Sequence, residues 1–194
     1  MITEPERVIL QVSGTLERLG IPYAVGGSMA SGRHGEVRAT QDIDFLIDLP
    51  PAKVAPLAAA LSPDYYVEES SMRDAVRLQR SFSVIHWEWS WKVDFFVAGD
   101  RLLDRRQLER RHALRVGGPE GRNVLFTSAE DIVLRKLDWL RLSDGVLERQ
   151  RRDVLGVLKT AAQALDIAYL RTTAAAVGLS ESLESCLRDA GLAP

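Results

Sequence analysis

Two aspartates one residue apart, Asp42 and Asp44, lie in an apolar run that continues as Phe45-Leu46-Ile47. Alternate residues of a strand share a face. A strand here therefore projects both carboxylates side by side and sends Ile43 and Phe45 to the opposite face. Carboxylates that close repel, so the pair is costly without a cation. A hard divalent ion taking oxygen ligands, Mg2+ or Mn2+, relieves the repulsion. Upstream, the apolar run Tyr23-Ala24-Val25 leads into Gly26-Gly27-Ser28. Glycines let backbone N–H groups approach an anion closely, and a helix starting there favours phosphate at its N-terminus. Gly-Gly-Ser alone is most often a turn, and Asp-x-Asp alone a solvated strand edge. In this order and between apolar runs, they point to handling of a nucleoside triphosphate with its metal.

Further residues carry potential chemistry. Asp94 sits in Lys92-Val93-Asp94-Phe95-Phe96-Val97, a strand pattern. It is either a third carboxylate beside the first two or an edge residue paired with Lys92. Lys136 falls inside a helical apolar stripe, where an ammonium needs an anion or must snorkel to water. Asp153 lies one turn after Arg149 and can pair with it. Trp87, Trp89 and Trp91 could stack a base or cover a hairpin. His86 reads as structural, and His34 as a loop residue near phosphate or in solvent. The arginine-dense stretch from Arg101 to Arg115 is a solvated face or a surface for a nucleic-acid backbone.

Regular elements must position these groups. Thr3, Pro5 and Glu6 open a helix that Gly20 ends. Ile21 to Val25 reads as a strand, and Met29 to Gly32 as a short helical turn. Pro50-Pro51 stops the Asp-x-Asp strand and starts a helix over 52–61, with Pro56 marking a kink or a late start. Tyr65 to Val67 reads as a short strand, and Ser71 to Arg80 as a helix capped by Ser71. Phe82–Trp87 and Trp91–Val97 read as two joined strands, and Leu102–Arg111 as a helix. A hairpin follows, from Ala113–Val116 to Asn123–Phe126 across the glycines near Pro119. From Thr127 the pattern is helical, with Ser128 capping the first helix.

The chain of 194 residues suffices for one α/β core with a helical appendage. Its net charge of −2 excludes a generic polyanion binder, so any nucleic-acid surface is a local patch. The single cysteine, Cys186, excludes an internal disulfide framework and suits the cytoplasm. No apolar run approaches a membrane span, and the N-terminal residues lack a signal-peptide pattern. A cytoplasmic protein without a membrane partner is expected.

The order Val25-Gly26-Gly27-Ser28, a gap, then Asp42-Ile43-Asp44 resembles the nucleotidyltransferase superfamily, the polymerase-beta-like fold. Arg38-Ala39-Thr40-Gln41-Asp42-Ile43-Asp44 is similar to the small bacterial branch of AbiEii-type toxins and their MenT relatives. Lys136-Leu137 and Arg152-Asp153 match that branch in order and spacing, and the resemblance spans roughly Ile21 to Leu158. It implies an α/β (α+β) fold, a mixed sheet flanked by helices; the composition shift near Thr127 divides this core, over 1–126, from a helical region over 127–194. The resemblance implies that Asp42, Asp44 and Asp94 hold two Mg2+ (or Mn2+) ions and that Asp94 takes the acceptor's proton. Gly26, Gly27 and Ser28, with Arg38 and Thr40, would bind the nucleotide. Lys136 would reach its phosphates, and Asp153 would steady the lysine or the base.

The implied activity is transfer of a nucleoside monophosphate from an NTP such as ATP to a hydroxyl of tRNA or of a protein. A toxin of this kind is opposed by an antitoxin partner. Antibiotic-modifying enzymes acting on aminoglycosides or lincosamides share the fold and form the competing class. A catalytically inactive nucleotide-binding or interaction module is the third reading. Arginine around 149–152 favours an RNA or protein acceptor over a cationic drug.

Overall fold

Thr3 and Glu6 close a capping box at the start of helix α1, Glu4–Arg18, and Pro5 sits in its first turn. The structure, a computed structural model, describes residues 2–34, 42–142 and 148–192, without the side chains of residues 33, 34, 148 and 149. Val8, Ile9, Val12 and Leu16 line the buried face of α1. Gly20, at φ +61°, supplies the left-handed residue that turns the chain into strand β1, Tyr23–Val25. Helix α2, Gly27–His34, follows directly and is longer than the turn expected.

Strand β2, Asp42–Ile47, then leads through a 3-10 turn at Pro51–Lys53 to helix α3, Val54–Leu61. Pro56 therefore lies in the first turn of α3, where its missing N–H costs nothing. Strand β3, Tyr65–Tyr66, precedes helix α4, Glu69–Leu78. Ser71 is not its cap: the helix starts two residues earlier, and the Ser71 hydroxyl donates to the Glu68 carboxylate at 2.9 Å. Strands β4, Ser81–His86, and β5, Lys92–Val97, precede helix α5, Leu102–Glu109. Strands β6, His112–Val116, and β7, Arg122–Phe126, form the expected hairpin. Helices α6 (Ala129–Leu142), α7 (Glu148–Thr160), α8 (Ile167–Ala176) and α9 (Ser180–Asp189) complete the described chain.

The seven described strands make one mixed sheet in the order β3-β4-β5-β2-β1-β7-β6. β1 runs antiparallel to β2 and parallel to β7, and β2 runs parallel to β5. Strand alternation gives the sheet two unlike faces. Tyr23, Ile43, Phe45, Ile47, Val93 and Phe95 lie on one face and are fully buried. Tyr23 reaches α1 from that face and donates its hydroxyl to Glu17 at 2.6 Å. The other face carries Asp42 and Asp44 on β2, Asp94 on β5 and Ser83 on β4, with Leu46 and Phe96 one step further along. Trp139 of α6 meets the Phe96 ring edge-on at 5.6 Å, so α6 roofs the apolar end of this face.

One hydrophobic cluster includes both the sheet and the C-terminal helices, from Val8 of α1 to Leu187 of α9. Cys186 is buried within it. No helix among the described residues is long and apolar enough to cross a membrane.

Candidate active site

Strand register brings the acids together. In the parallel pairing of β2 with β5, Asp44 stands beside Asp94 and Asp42 beside Lys92. In the antiparallel pairing of β4 with β5, Ser83 stands beside Asp94. One row across the sheet is thus Ser83, Asp94 and Asp44, and the next is Ile85, Lys92 and Asp42. Ser83 donates to Asp94 Oδ1 at 2.5 Å. The Lys92 ammonium lies 2.8 Å from Asp94 Oδ2 and 3.4 Å from Asp42 Oδ1. Asp94 thus adjoins the Asp-x-Asp pair and also pairs with Lys92, on a strand that lies inside the sheet and not at its edge. The Asp94 contact is the main reason the Lys92 ammonium is held above its usual range.

Asp44 carries the strain of this arrangement. Burial and then the neighbouring charges of Asp94 and Asp42 push its carboxyl up to about 6, against the pull of Lys136 and Lys92. Its carboxylate lies against the backbone of Gly27: a Cβ there would stand 1.6 Å from Asp44 Oδ2. Gly27 also takes φ +55°, a conformation most side chains avoid. The Gly26 N–H donates to the Asp44 carbonyl at 2.9 Å, which fixes the phosphate-loop candidate to the acid strand.

The helical region supplies the opposite wall. Ser128 Oγ accepts from the Asp131 N–H at 3.2 Å and caps α6. That start places Lys136 two turns along, buried, over the cleft. Its ammonium donates to Asp153 Oδ2 at 2.7 Å and to Gln150 Oε1 at 3.1 Å. Asp153 thus steadies the lysine, and Gln150 joins it from the preceding turn of α7. Gly27, Ser28, Asp44, Lys136, Arg135 and Gln150 line one cleft, whose inner end is closed by Leu46, Phe96 and Trp139. The cleft measures about 110 Å3 among the described residues. Arg135 pairs with Asp104 at 2.9 Å, while its buried Nη1 has no hydrogen-bond partner among the described residues.

The residues fit a hard divalent ion chemically. Three carboxylates supply oxygen donors, and the repulsion that raises Asp44 is relieved by a cation. As placed, however, no three acidic, histidine or cysteine side chains among the described residues converge to ligate one ion. Lys92 takes up oxygens of two of the three carboxylates.

Other candidates fall away from the site. His86 is buried, accepts at Nδ1 from the N–H groups of Glu88 and Trp89, and stacks on Trp89 at 4.2 Å. The three tryptophans do not form one platform. Trp87 is exposed against Tyr66, Trp89 covers His86, and Trp91 donates to Glu4. Arginines 101, 105, 106 and 110 each meet an acid, respectively Asp138, Asp100, Glu109 and the Glu130–Asp131 pair. Arg38 and Thr40 lie outside the described residues, as do the side chains of His34 and Arg149. Ser83, Arg135, Gln150 and Trp139 were not singled out from sequence. Only Ser83 had a readable signal there, its place in the alternation of β4.

No family model matches the chain, and no curated protein matches it. Solved structures do. The antibiotic-resistance factor ANT(2'')-Ia superposes with a TM-score of 0.60 at 16% identity, covering 99% of this chain and 96% of that one. The same factor in complex with adenylyl-2''-tobramycin gives 0.56 at 18% identity, over 88% and 97% of the two chains. An antigenic nucleotidyltransferase-like protein from Paracoccidioides brasiliensis gives 0.58 at 18% identity, over 96% and 94%. The likeness takes in the sheet and the C-terminal helices together, and on it the chain has the nucleotidyltransferase fold.

Proposed function

We propose that the protein is a metal-dependent nucleotidyltransferase that moves a nucleoside monophosphate from an NTP to an acceptor hydroxyl. The observation that carries this reading is the meeting of Asp44 and Asp94 in one strand row, with the Cβ-free Gly27 against Asp44 and the buried Lys136 across the same cleft. Asp42, Asp44 and Asp94 would hold Mg2+ or Mn2+, which when bound neutralises charge on the triphosphate and lowers the acceptor's pKa. Gly26, Gly27 and Ser28 present the start of α2 to the phosphates. Lys136, held by Asp153 and Gln150, offers its ammonium to the triphosphate. Asp94, oriented by Ser83, takes the proton as the hydroxyl oxygen attacks the α-phosphorus. The bond to the bridging oxygen breaks, and pyrophosphate leaves. Positioning and charge stabilisation supply the rate.

For the acceptor, a small polyhydroxylated molecule is the reading we favour. Arginines 101, 105, 106 and 110 are engaged with acids, which lowers the net charge an RNA backbone would meet there, while Arg111 and Arg115 donate to backbone carbonyls. The neighbour solved with adenylyl-2''-tobramycin matches along nearly its full length. A tRNA or protein hydroxyl, with an antitoxin partner of the AbiEii/MenT kind, is the second reading and rests on the residues at 38–44 and 152–153.

The test is incubation with each α-labelled NTP and Mn2+ or Mg2+, against an aminoglycoside and lincosamide panel, total tRNA and cell lysate. Labelled small product with pyrophosphate release is expected, absent in Asp44→Asn. Label on tRNA or protein would move the acceptor to the second reading. Triphosphate binding without pyrophosphate release from any acceptor would leave a binding module.

A further inference from the structure

We infer that Lys92 is an internal competitor of the divalent metal: its ammonium occupies oxygens of Asp42 and Asp94 and sets how much metal the acidic cluster needs. The inference rests on the metal-binding reading above and deepens it.

Four observations converge. Lys92 Nζ contacts Asp94 Oδ2 at 2.8 Å and Asp42 Oδ1 at 3.4 Å, so one cation spans two strands of the site. Parallel register fixes it there: Lys92 and Asp42 are direct partners, and Lys92 and Asp94 lie two apart on the same face of β5. Ser83 already takes Asp94 Oδ1, which leaves Oδ2 as the oxygen a metal would share with the lysine. Finally, no group of three ligating side chains converges among the described residues.

Cations at one set of oxygens exclude each other, because each gains its stability from the same negative charge. The lysine is built to yield. Its side chain is 41% exposed, so a long flexible stem can carry the ammonium to water at little cost. It is also a single charge against a divalent ion, so metal wins once its concentration is high enough. Lys136 does not play this part, since its ammonium is buried on Asp153 and Gln150.

The experiment is calorimetric titration of Mn2+ alone into chelator-stripped, desalted protein: parent, Lys92→Met, Lys92→Arg and Asp44→Asn. Thermal melts with and without Mn2+ accompany it. Lys92→Met should bind Mn2+ about tenfold more tightly than the parent, the order expected for losing a partly screened charge next to two carboxylates. Its melting temperature without metal should fall, and its gain on adding Mn2+ should exceed the parent's. Lys92→Arg, which keeps the charge, should stay near the parent. Lys92→Gln serves if the methionine variant folds poorly. Equal or weaker Mn2+ binding in both neutral variants, with parental binding that Asp44→Asn abolishes, overturns the inference and leaves the metal site intact. No Mn2+ binding by parent or variants at millimolar concentration overturns both.

Discussion

Two acid-rich regions of this chain look alike in sequence and behave differently in structure. On α6, Glu130, Asp131 and Asp138 are all buried, and each is answered. Asp138 bridges Arg101 and Arg141, Asp131 receives the Tyr169 and Ser128 hydroxyls, and Glu130 accepts from the Asp166 N–H. Arg110 lies 3.7 Å above the Tyr169 ring and reaches toward both Glu130 and Asp131. On β2 and β5, Asp42 and Asp94 share the Lys92 ammonium, while Asp44 feels Lys92 and Lys136 only as nearby charges.

The two buried acids Asp131 and Asp44 show what this means. Burial is the first cause raising each. At Asp131 the next causes are hydrogen bonds and Arg110, which pull it back; at Asp44 they are two like charges, which push it further. Asp131 is compensated by its hydrogen bonds and Arg110, whereas the neighbours of Asp44 add to its burial penalty.

The comparison breaks first at Asp44. Asp44→Asn should cut metal-dependent transfer by more than about a hundredfold, since changes one shell further out already cost ten to a hundred. The same substitution should change the pH dependence of stability. Asp44 titrates near 6 in the fold and near 4 when unfolded. Its proton is bound more tightly by the folded state, so its contribution is greatest below pH ~4 and is lost as pH rises to ~6. The loss amounts to about 3 kcal/mol. Denaturant melts of chelator-treated protein, parent against Asp44→Asn, should differ by this slope in that window. Parallel pH profiles would mean that Asp44 is as well compensated as Asp131.

A second test lies between the two regions. Lys136→Ala strands the partly buried Asp153 and should cost about 3–5 kcal/mol. Replacing both partners, Lys136→Met with Asp153→Leu, should restore most of that stability while triphosphate affinity stays low. Recovery of affinity along with stability would make the pair architectural.

Tyr169→Phe probes the compensated side. Loss of its hydrogen bond to Asp131 should lower stability by about 1 kcal/mol and leave Mn2+ and triphosphate affinity unchanged. A change in either affinity would couple α8 to the site. The smallest effect is expected from Arg105→Ala with Arg106→Ala, whose exposed pairs are worth less than about 0.5 kcal/mol each. Reduced retention of tRNA at low salt would restore the nucleic-acid surface that their pairing argues against.

Sequence reading went furthest where the pattern is local. The alternation around Asp42 and Asp44, the hairpin after Val116 and the capped start of α6 all follow from short-range rules and stand in the structure. Asp94 was expected beside the pair from the family resemblance, and the parallel pairing of β2 with β5 puts it next to Asp44. What stayed hidden depends on register between distant segments. That Ser83 faces Asp94, or that Lys92 spans Asp42 and Asp94, follows only once β2, β4 and β5 are aligned. Gln150 and Asp153 reach Lys136 through the packing of α7 on α6. Arg105 and Arg106 are exposed and meet acids within five residues, as a solvated face would, while Arg101 and Arg110 find theirs on α6, a whole element away.

The interior strand β1, beside the central β2, has a consequence in time. Val25 pairs with Phe126, about a hundred residues further along the chain. As a ribosome releases the polypeptide, β1 can pair with β2, and β2 with β5, well before β7 exists. The Asp-x-Asp cluster is therefore available for assembly while one edge of β1 still waits. Closing that loop is entropically slow, and only afterwards can α6 swing Lys136 over the cleft. Pulsed amide exchange during refolding should show Ile43 and Val93 protected before Val25 and Thr127. Protection of all four in a single phase would mean that the sheet closes as one unit.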